Sequence, residues 1–352
     1  MNASGGVAVV EDRRYRDHRG QGGHPESPER LDAVAEAIAA RADRLEHCAP
    51  RPAGAEELLR VHRREHLERV AEAARRAPAR LDADTYVCPE SFEVALLAAG
   101  GTIDLTRRVV RGEARCGFAA VRPPGHHAES DRAMGFCLFN NAALAARAVQ
   151  AEEGVGRILL LDFDVHHGNG TQHIFELDPT VLYFSTHQFP FYPGTGGIGE
   201  AGTEKGLGYT VNVPLPAGCG DTEHVGALAR ILVPVALSFR PELILVSSGF
   251  DAHRDDPLGA MQVSGAGFRA MSDIVRALAD QLCGGRSVFI LEGGYSPSGL
   301  REGTGAVLDA LLDPQTPQPT GPGEDVRSSA LESVLERVKQ VHGKIFFAPG
   351  VE

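Results

Sequence analysis

Two adjacent histidines, His126 and His127, follow the stiff run Pro123-Pro124-Gly125, and a second pair, His166 and His167, closes Asp162-Phe163-Asp164-Val165. Gly249-Phe250-Asp251-Ala252-His253 and Glu292-Gly293-Gly294-Tyr295 complete a set of four polar clusters. On an extended segment, residues two apart point the same way, so Asp164 and His166 form half of a metal site. Asp251, from another segment, could supply a third ligand. Two oxygens, one nitrogen and an open position suit a catalytic Zn²⁺, which acidifies water to a pKa of about 7. Taken alone, an Asp-x-His pair is more often a surface or hydrogen-bonded pair than a metal site. A hydrolase also needs a base for the attacking water and an acid for the leaving group, and histidine serves both near neutral pH. Tandem histidines alone can equally be polar loop residues. A Gly-Gly turn can carry the Tyr295 phenol to a developing oxyanion, or Tyr295 can cap that turn.

Each cluster follows a short apolar run of the kind that forms strands covered on both faces. The runs are Gly117–Val121, Arg157–Phe163, Leu243–Ser247 and Ser287–Leu291, with a fifth at Val181–Ser185. Amphipathic stretches alternate with them at Glu29–Arg44, Ser91–Arg111, Asn141–Glu153, Thr222–Phe239 and Ser264–Leu282. This alternation predicts an α/β fold with a mostly parallel central sheet and helices on both faces. In such folds ligands bind beyond the carboxyl ends of the strands, where four loops could face one pocket. Arg122–Leu138 and the glycine-rich Thr186–Gly208 read as long functional loops. We read one catalytic domain over residues 1–352, with a core over about 5–313, a linker at Pro314–Gly323 and a last helix at Ser328–His342.

The 352 residues, 43% hydrophobic and 23% charged, can bury a large core. With 35 basic and 47 acidic residues the net charge is −12, which disfavours nucleic acid and mildly favours Lys-rich partners. Six scattered cysteines without a C-x-x-C read as reduced thiols. The N-terminus lacks a basic region ahead of an apolar run, and no stretch reads as membrane-spanning, so a cytoplasmic location is expected. The sequence leaves a homo-oligomer open.

Together the clusters resemble the zinc-dependent histone deacetylase family, in its class II-like bacterial form. The resemblance is carried by HPESPER (24–30), RPPGHHAE (122–129), GFCLFNN (135–141), LDFDVHHGNGTQHIF (161–175), YPGTGGIGEAG (192–202), GYTVNVPLP (208–216), LVSSGFDAHRDDPLG (245–259) and LEGGY (291–295), in the family's order. It implies an arginase/deacetylase-like fold and removal of acyl groups from lysine side chains of proteins or peptides. It makes Asp164, His166 and Asp251 the zinc ligands and His127 the general base and acid. His126 becomes the neighbouring histidine that polarises water, paired with Asp162, and Tyr295 polarises the acyl carbonyl. Phe136 and Tyr192 match the walls of the acyl-lysine channel, where the second wall is more often Phe. Gly135 matches the carbonyl facing the substrate amide, and Asp84 the acceptor for substrate backbone N–H groups. Ser185 and Thr186, with Asp162, Asp164 and His166, match an inner site for a structural K⁺ or Na⁺.

One departure concerns Asn169, where class I members carry Asp. An Asn oxygen still accepts an N–H and fixes the tautomer, but it adds no charge and leaves His127 less basic. Acetylpolyamine deacetylation is the rival activity. Polyamine-selective relatives place an acid after the Asp-Pro of the G-F-D loop, whereas Leu258 stands here and offers a second ammonium no partner. A silent acyl-lysine binding module is the other rival, and it would signal itself by loss of a ligand or of the tyrosine.

Overall fold

The structure is a computed structural model that describes residues 5–20, 22–315 and 328–346. Among the described residues there are ten strands: β1 (Val7–Val10), β2 (Leu45–Cys48), β3 (Ala79–Arg80), β4 (Tyr86–Val87), β5 (Cys116–Ala119), β6 (Ile158–Asp162), β7 (Val181–Gln188), β8 (Thr210–Leu215), β9 (Leu243–Ser248) and β10 (Ser287–Leu291). β3 and β4 form a small antiparallel ribbon. The other eight form one sheet in the order β2-β1-β5-β10-β9-β6-β7-β8, with every pairing parallel. A parallel neighbour requires a crossover, and α-helices fill all of these except the one from β7 to β8, where the long glycine-rich loop carries only a short turn at Glu204–Gly206. Accordingly β5, β6, β9 and β10 are buried at every position, which explains why their sequences are apolar rather than alternating.

The strand order decides the function of the four clusters. β5 and β6 are consecutive in the main sheet's chain order, with the helix Asn141–Glu153 between them, yet β10 and β9 insert between them in space. The clusters after β5, β10, β9 and β6 therefore leave four adjacent strands at their carboxyl ends.

Several elements depart from the sequence expectation. β1, β2, β3, β4 and β8 are additional strands. β2 reads Leu-Glu-His-Cys because it is an edge strand whose residues are half-buried or exposed. β7 runs on to Gln188, so the long loop starts at Phe189 rather than Thr186. The first long helix spans Arg30–Ala39 and gives way to a tight turn at Ala42–Arg44. The stretch Thr222–Phe239 is a helix interrupted by a wider π turn at Leu228–Leu232, beside Pro234, which has no N–H to donate. Contrary to the expectation from sequence, Asp221–Phe239 is long and apolar enough to cross a membrane, with mean hydropathy 1.2, but 61% of it is buried inside the molecule. It packs on the helices Gly265–Leu282 and Ser329–Phe346. The helix Pro297–Leu312 was not anticipated. Its N-cap is Ser296, whose hydroxyl accepts the Gly299 N–H, and Pro297 opens it, so the chain is fixed immediately after Tyr295. The proposed linker lies outside the described residues from position 316 onward, and the last helix runs Ser329–Phe346.

Candidate active site

β6 ends at Asp162, and the next residues turn so that Asp164 and His166 face the carboxyl end of β9. His166 Nδ1 lies 3.1 Å from Asp164 Oδ1 and 3.2 Å from Asp251 Oδ2. The ligand atoms of the three residues lie within 4.8 Å of one another. The spacing read from sequence thus brings two fully buried carboxylates and one imidazole to a point. Asp164 and Asp251 face each other out of water, and burial together with the Asp164 charge pushes Asp251 up to about 7. Two like charges held this close call for a cation between them, and oxygen and imidazole donors suit zinc. Glycines leave the room. A Cβ at Gly249 would lie 1.9 Å from Asp164 Oδ2, and one at Gly293 would lie 2.1 Å from Asp251 Oδ2.

The two histidines after β5 differ in their partners. Nδ1–H of His126 donates to Asp162 Oδ2 at 3.0 Å, which Tyr183 Oη also reaches at 3.2 Å. Burial disfavours the charged ring, but Asp162 and Asp164 outweigh it and hold its pKa up at about 10. Nδ1–H of His127 donates to Asn169 Oδ1 at 2.8 Å. Here burial, joined by the positive neighbours His126 and His166, pushes the pKa well below the usual histidine value. One ring is therefore kept charged and the other neutral, which separates their chemical roles. Glu292 ties this loop to the sheet. It accepts from the N–H of Gly125 at 2.6 Å, of His126 at 3.1 Å and from the Ser247 hydroxyl at 3.0 Å.

Tyr295 follows the Gly293-Gly294 turn past the end of β10, the strand between β5 and β9. Arg30, from HPESPER, donates to the carbonyls of Gly294 at 2.6 Å and Glu292 at 2.5 Å, and its guanidinium lies 4.9 Å from the tyrosine ring centre. Glu26 pairs with both Arg30 and Arg122, so the N-terminal segment anchors the tyrosine loop. Asp256 completes the hold. Its Oδ2 accepts from the N–H of Tyr295 at 2.6 Å and of Ser296 at 3.1 Å, and its Oδ1 accepts from Leu258 N–H at 2.9 Å. One carboxylate thus joins the Leu258 loop to the tyrosine loop. Sequence reasoning assigned no role to Arg30, Glu129, Asp256 or Glu292, although each lies within a quoted motif.

Of the expected channel residues, Tyr192, Gly135 and Phe136 lie against His127 or Tyr295, whereas Asp84 and Leu258 sit on separate loops. Tyr192 lies edge-on to His127 at 5.2 Å, and Phe136 lies edge-on to Tyr295 at 5.9 Å. Gly135 adopts φ +56, and a Cβ there would come within 2.4 Å of His127 Cδ2, so only glycine fits this passage. Asp84 is half-buried on the segment joining β3 to β4, and its carbonyl accepts from His24, whose ring touches Phe136. Leu258 is partly exposed on its loop. The β6–β7 register sets Ser185 beside Asp162. The Ser185 hydroxyl bonds His187 Nδ1 at 2.9 Å, and Thr186 Oγ1 is buried without a hydrogen-bond partner.

A parallel α/β sheet with two carboxylates and an imidazole that could hold a cation, a charged and a neutral histidine and a tyrosine on the adjoining β10 loop suits a hydrolase-type site. The comparisons narrow this class. The histone deacetylase domain model matches residues 24–311. The chain is 41% identical over 322 residues to histone deacetylase 15 of Arabidopsis thaliana, covering 89% of this chain and 57% of that protein. It is 38% identical over 353 residues to a probable deacetylase of Archaeoglobus fulgidus, covering 96% of this chain and 98% of the archaeal one. It is 41% identical over 330 residues to a histone deacetylase-like amidohydrolase of Pseudomonas aeruginosa, covering 89% and 86% of the two chains. A crystal structure of the HDA15 HD domain superposes with a TM-score of 0.90 at 38% identity, covering 99% of this chain and 96% of that one. The chain belongs to the histone deacetylase family of hydrolases, and its fold is the arginase-like fold of that family.

Proposed function

We propose that this chain hydrolyses the side-chain amide of acyl-lysine in proteins or peptides, with one Zn²⁺ held by Asp164, His166 and Asp251. The observation that supports this reading best is the convergence of those three side chains, with the His127 ring 5.9 Å from that of His166. Held by those three side chains, the ion would supply Lewis-acid polarisation of the acyl oxygen and a more acidic water. The other steps belong to side chains. Phe136 and Tyr192 hold the aliphatic stem, and Asp84 accepts substrate backbone N–H groups at the rim. With its Nδ1 proton engaged by Asn169, His127 presents a free Nε2 lone pair that takes the proton of the attacking water. The low basicity of its buried ring then favours release of that proton to the leaving amine. His126, kept charged by Asp162, orients the water, and Tyr295 Oη donates to the oxyanion. The products are a carboxylate and the free lysine amine. A structural K⁺ or Na⁺ beside Asp162, Asp164, His166, Ser185 and Thr186, and a cytoplasmic setting in keeping with six free thiols, belong to the same proposal.

A panel of acyl-lysine peptides and acetylpolyamines, offered to the zinc-loaded protein, tests the substrate class. The wild type is expected to prefer the peptides, because Leu258 gives a second ammonium no counter-charge. Leu258→Glu should raise kcat/KM for N8-acetylspermidine and lower it for acetyl-lysine peptides. The shift should be roughly ten- to a hundredfold, the size of a desolvated charge pair in a channel. Faster turnover of acetylpolyamines than of every peptide by the wild type would reverse the assignment.

A further inference from the structure

The absence of charge at Asn169 is made good one group further out. Asn169 opens the helix Asn169–Phe175, and its amide Nδ2 donates to Glu129 Oε1 at 2.6 Å while its Oδ1 accepts from His127. Glu129 is the last residue of the His126-His127-Ala128-Glu129 run and is only 6% exposed. His173 lies four residues beyond Asn169 on the same helical face, and its Nδ1 donates to the same Glu129 oxygen at 2.8 Å. Glu129 cannot drift from this position, because its backbone is held on both sides. Its N–H donates to Arg132 O at 3.0 Å, and its carbonyl accepts from His62 Nδ1 at 2.9 Å.

An amide has two ends of nearly equal shape and opposite hydrogen-bonding sense. If Asn169 turned over, its NH₂ would face His127 Nδ1, which could then only accept. The ring proton would move to Nε2, the atom that must take a proton from water. An ionised carboxylate accepts and never donates, so Glu129 admits only the NH₂ end of Asn169.

We infer that Glu129 is a positioning residue that fixes the orientation of the Asn169 amide and, through it, the catalytic tautomer of His127. The inference rests on the proposed role of His127 as proton acceptor. Glu129→Gln keeps size and an acceptor but adds a donor, so Asn169 can pair with it either way round. This variant should lose about ten- to a hundredfold in kcat on an acetyl-lysine peptide, the usual cost of losing an outer partner, with little change in KM and full zinc content.

In an Asn169→Ala background the same Glu129→Gln change should cost less than about threefold, since the route to His127 is already cut. Nitrogen-15 NMR of the histidine rings should show the Nδ1–H form of His127 in the wild type and a mixture in Glu129→Gln. Glu129→Met, apolar and of similar volume, repeats both comparisons through a second chain. Equal losses in the two backgrounds, an unchanged kcat, or an unaltered His127 tautomer overturns the inference. His127→Ala, assayed alongside, separates the two readings: full activity there sinks the base assignment itself, whatever Glu129 does.

Discussion

Stripping the protein with a chelator is expected to abolish amide hydrolysis, and one equivalent of Zn²⁺ to restore it. A bound ion contributes several kcal/mol of charge stabilisation, and each 1.36 kcal/mol is tenfold in rate, so the loss should be at least about a thousandfold. The site itself gives the reason. Asp164 and Asp251 are both buried, with His166 between them and His126 Nε2 3.9 Å from Asp164 Oδ2, and burial together with the Asp164 charge still pushes Asp251 up to about 7. Asp251→Ala should bring bound zinc, measured by elemental analysis, well below one equivalent while leaving the sheet intact, because its neighbour Phe250 is fully buried and its N–H donates to Gly293 O at 3.1 Å. Zinc should also raise the melting temperature, since it binds the assembled ligands and not the unfolded chain. Full turnover at negligible metal content would remove the ion from the reaction.

Tyr295→Phe is expected to lower kcat by about 10²–10³, the usual cost of one oxyanion donor, with zinc still bound. The substitution removes a single oxygen. The ring should keep its place under the Arg30 guanidinium and beside Phe136, and its backbone should keep the two bonds that Asp256 accepts from Tyr295 and Ser296. Burial pushes the phenol well above its usual pKa against the opposing pull of Arg30, so it stays protonated and donates throughout the neutral range. The melting temperature should therefore move little while turnover collapses. Near-wild-type turnover would take Tyr295 out of the mechanism, and a large fall in melting temperature would show that the hydroxyl serves the fold instead.

Much of the site was legible because it is strung along strand ends. Each polar cluster follows an apolar run that the structure confirms as β5, β6, β9 or β10; Asp164 and His166 do meet, but on a bend past the end of β6 rather than on the extended chain that the two-residue spacing suggested. The edge strands were less legible. β2 has little apolar character, since an edge strand needs only one covered side. The break in the helix from Asp221 to Phe239 also escaped periodicity, which continues through a π turn with only a small change of phase.

By itself the sequence determined the residue types: two carboxylates and an imidazole for a cation, two histidines, a glycine-hinged tyrosine and an apolar Leu258. It also determined the local geometry that spacing controls, including the shared face of Asn169 and His173. Tertiary structure alone decided which charges meet. The order β5-β10-β9-β6 inserts two late strands between two early ones, and so brings Asp251 to Asp164 and Glu292 to His126. Asp256 holds Tyr295 from 39 residues away and Glu129 holds Asn169 from 40. Such pairings leave no mark in periodicity. They arise because burying a charged or polar group is costly unless a partner meets it, and the partner is whichever group the packing of distant segments delivers.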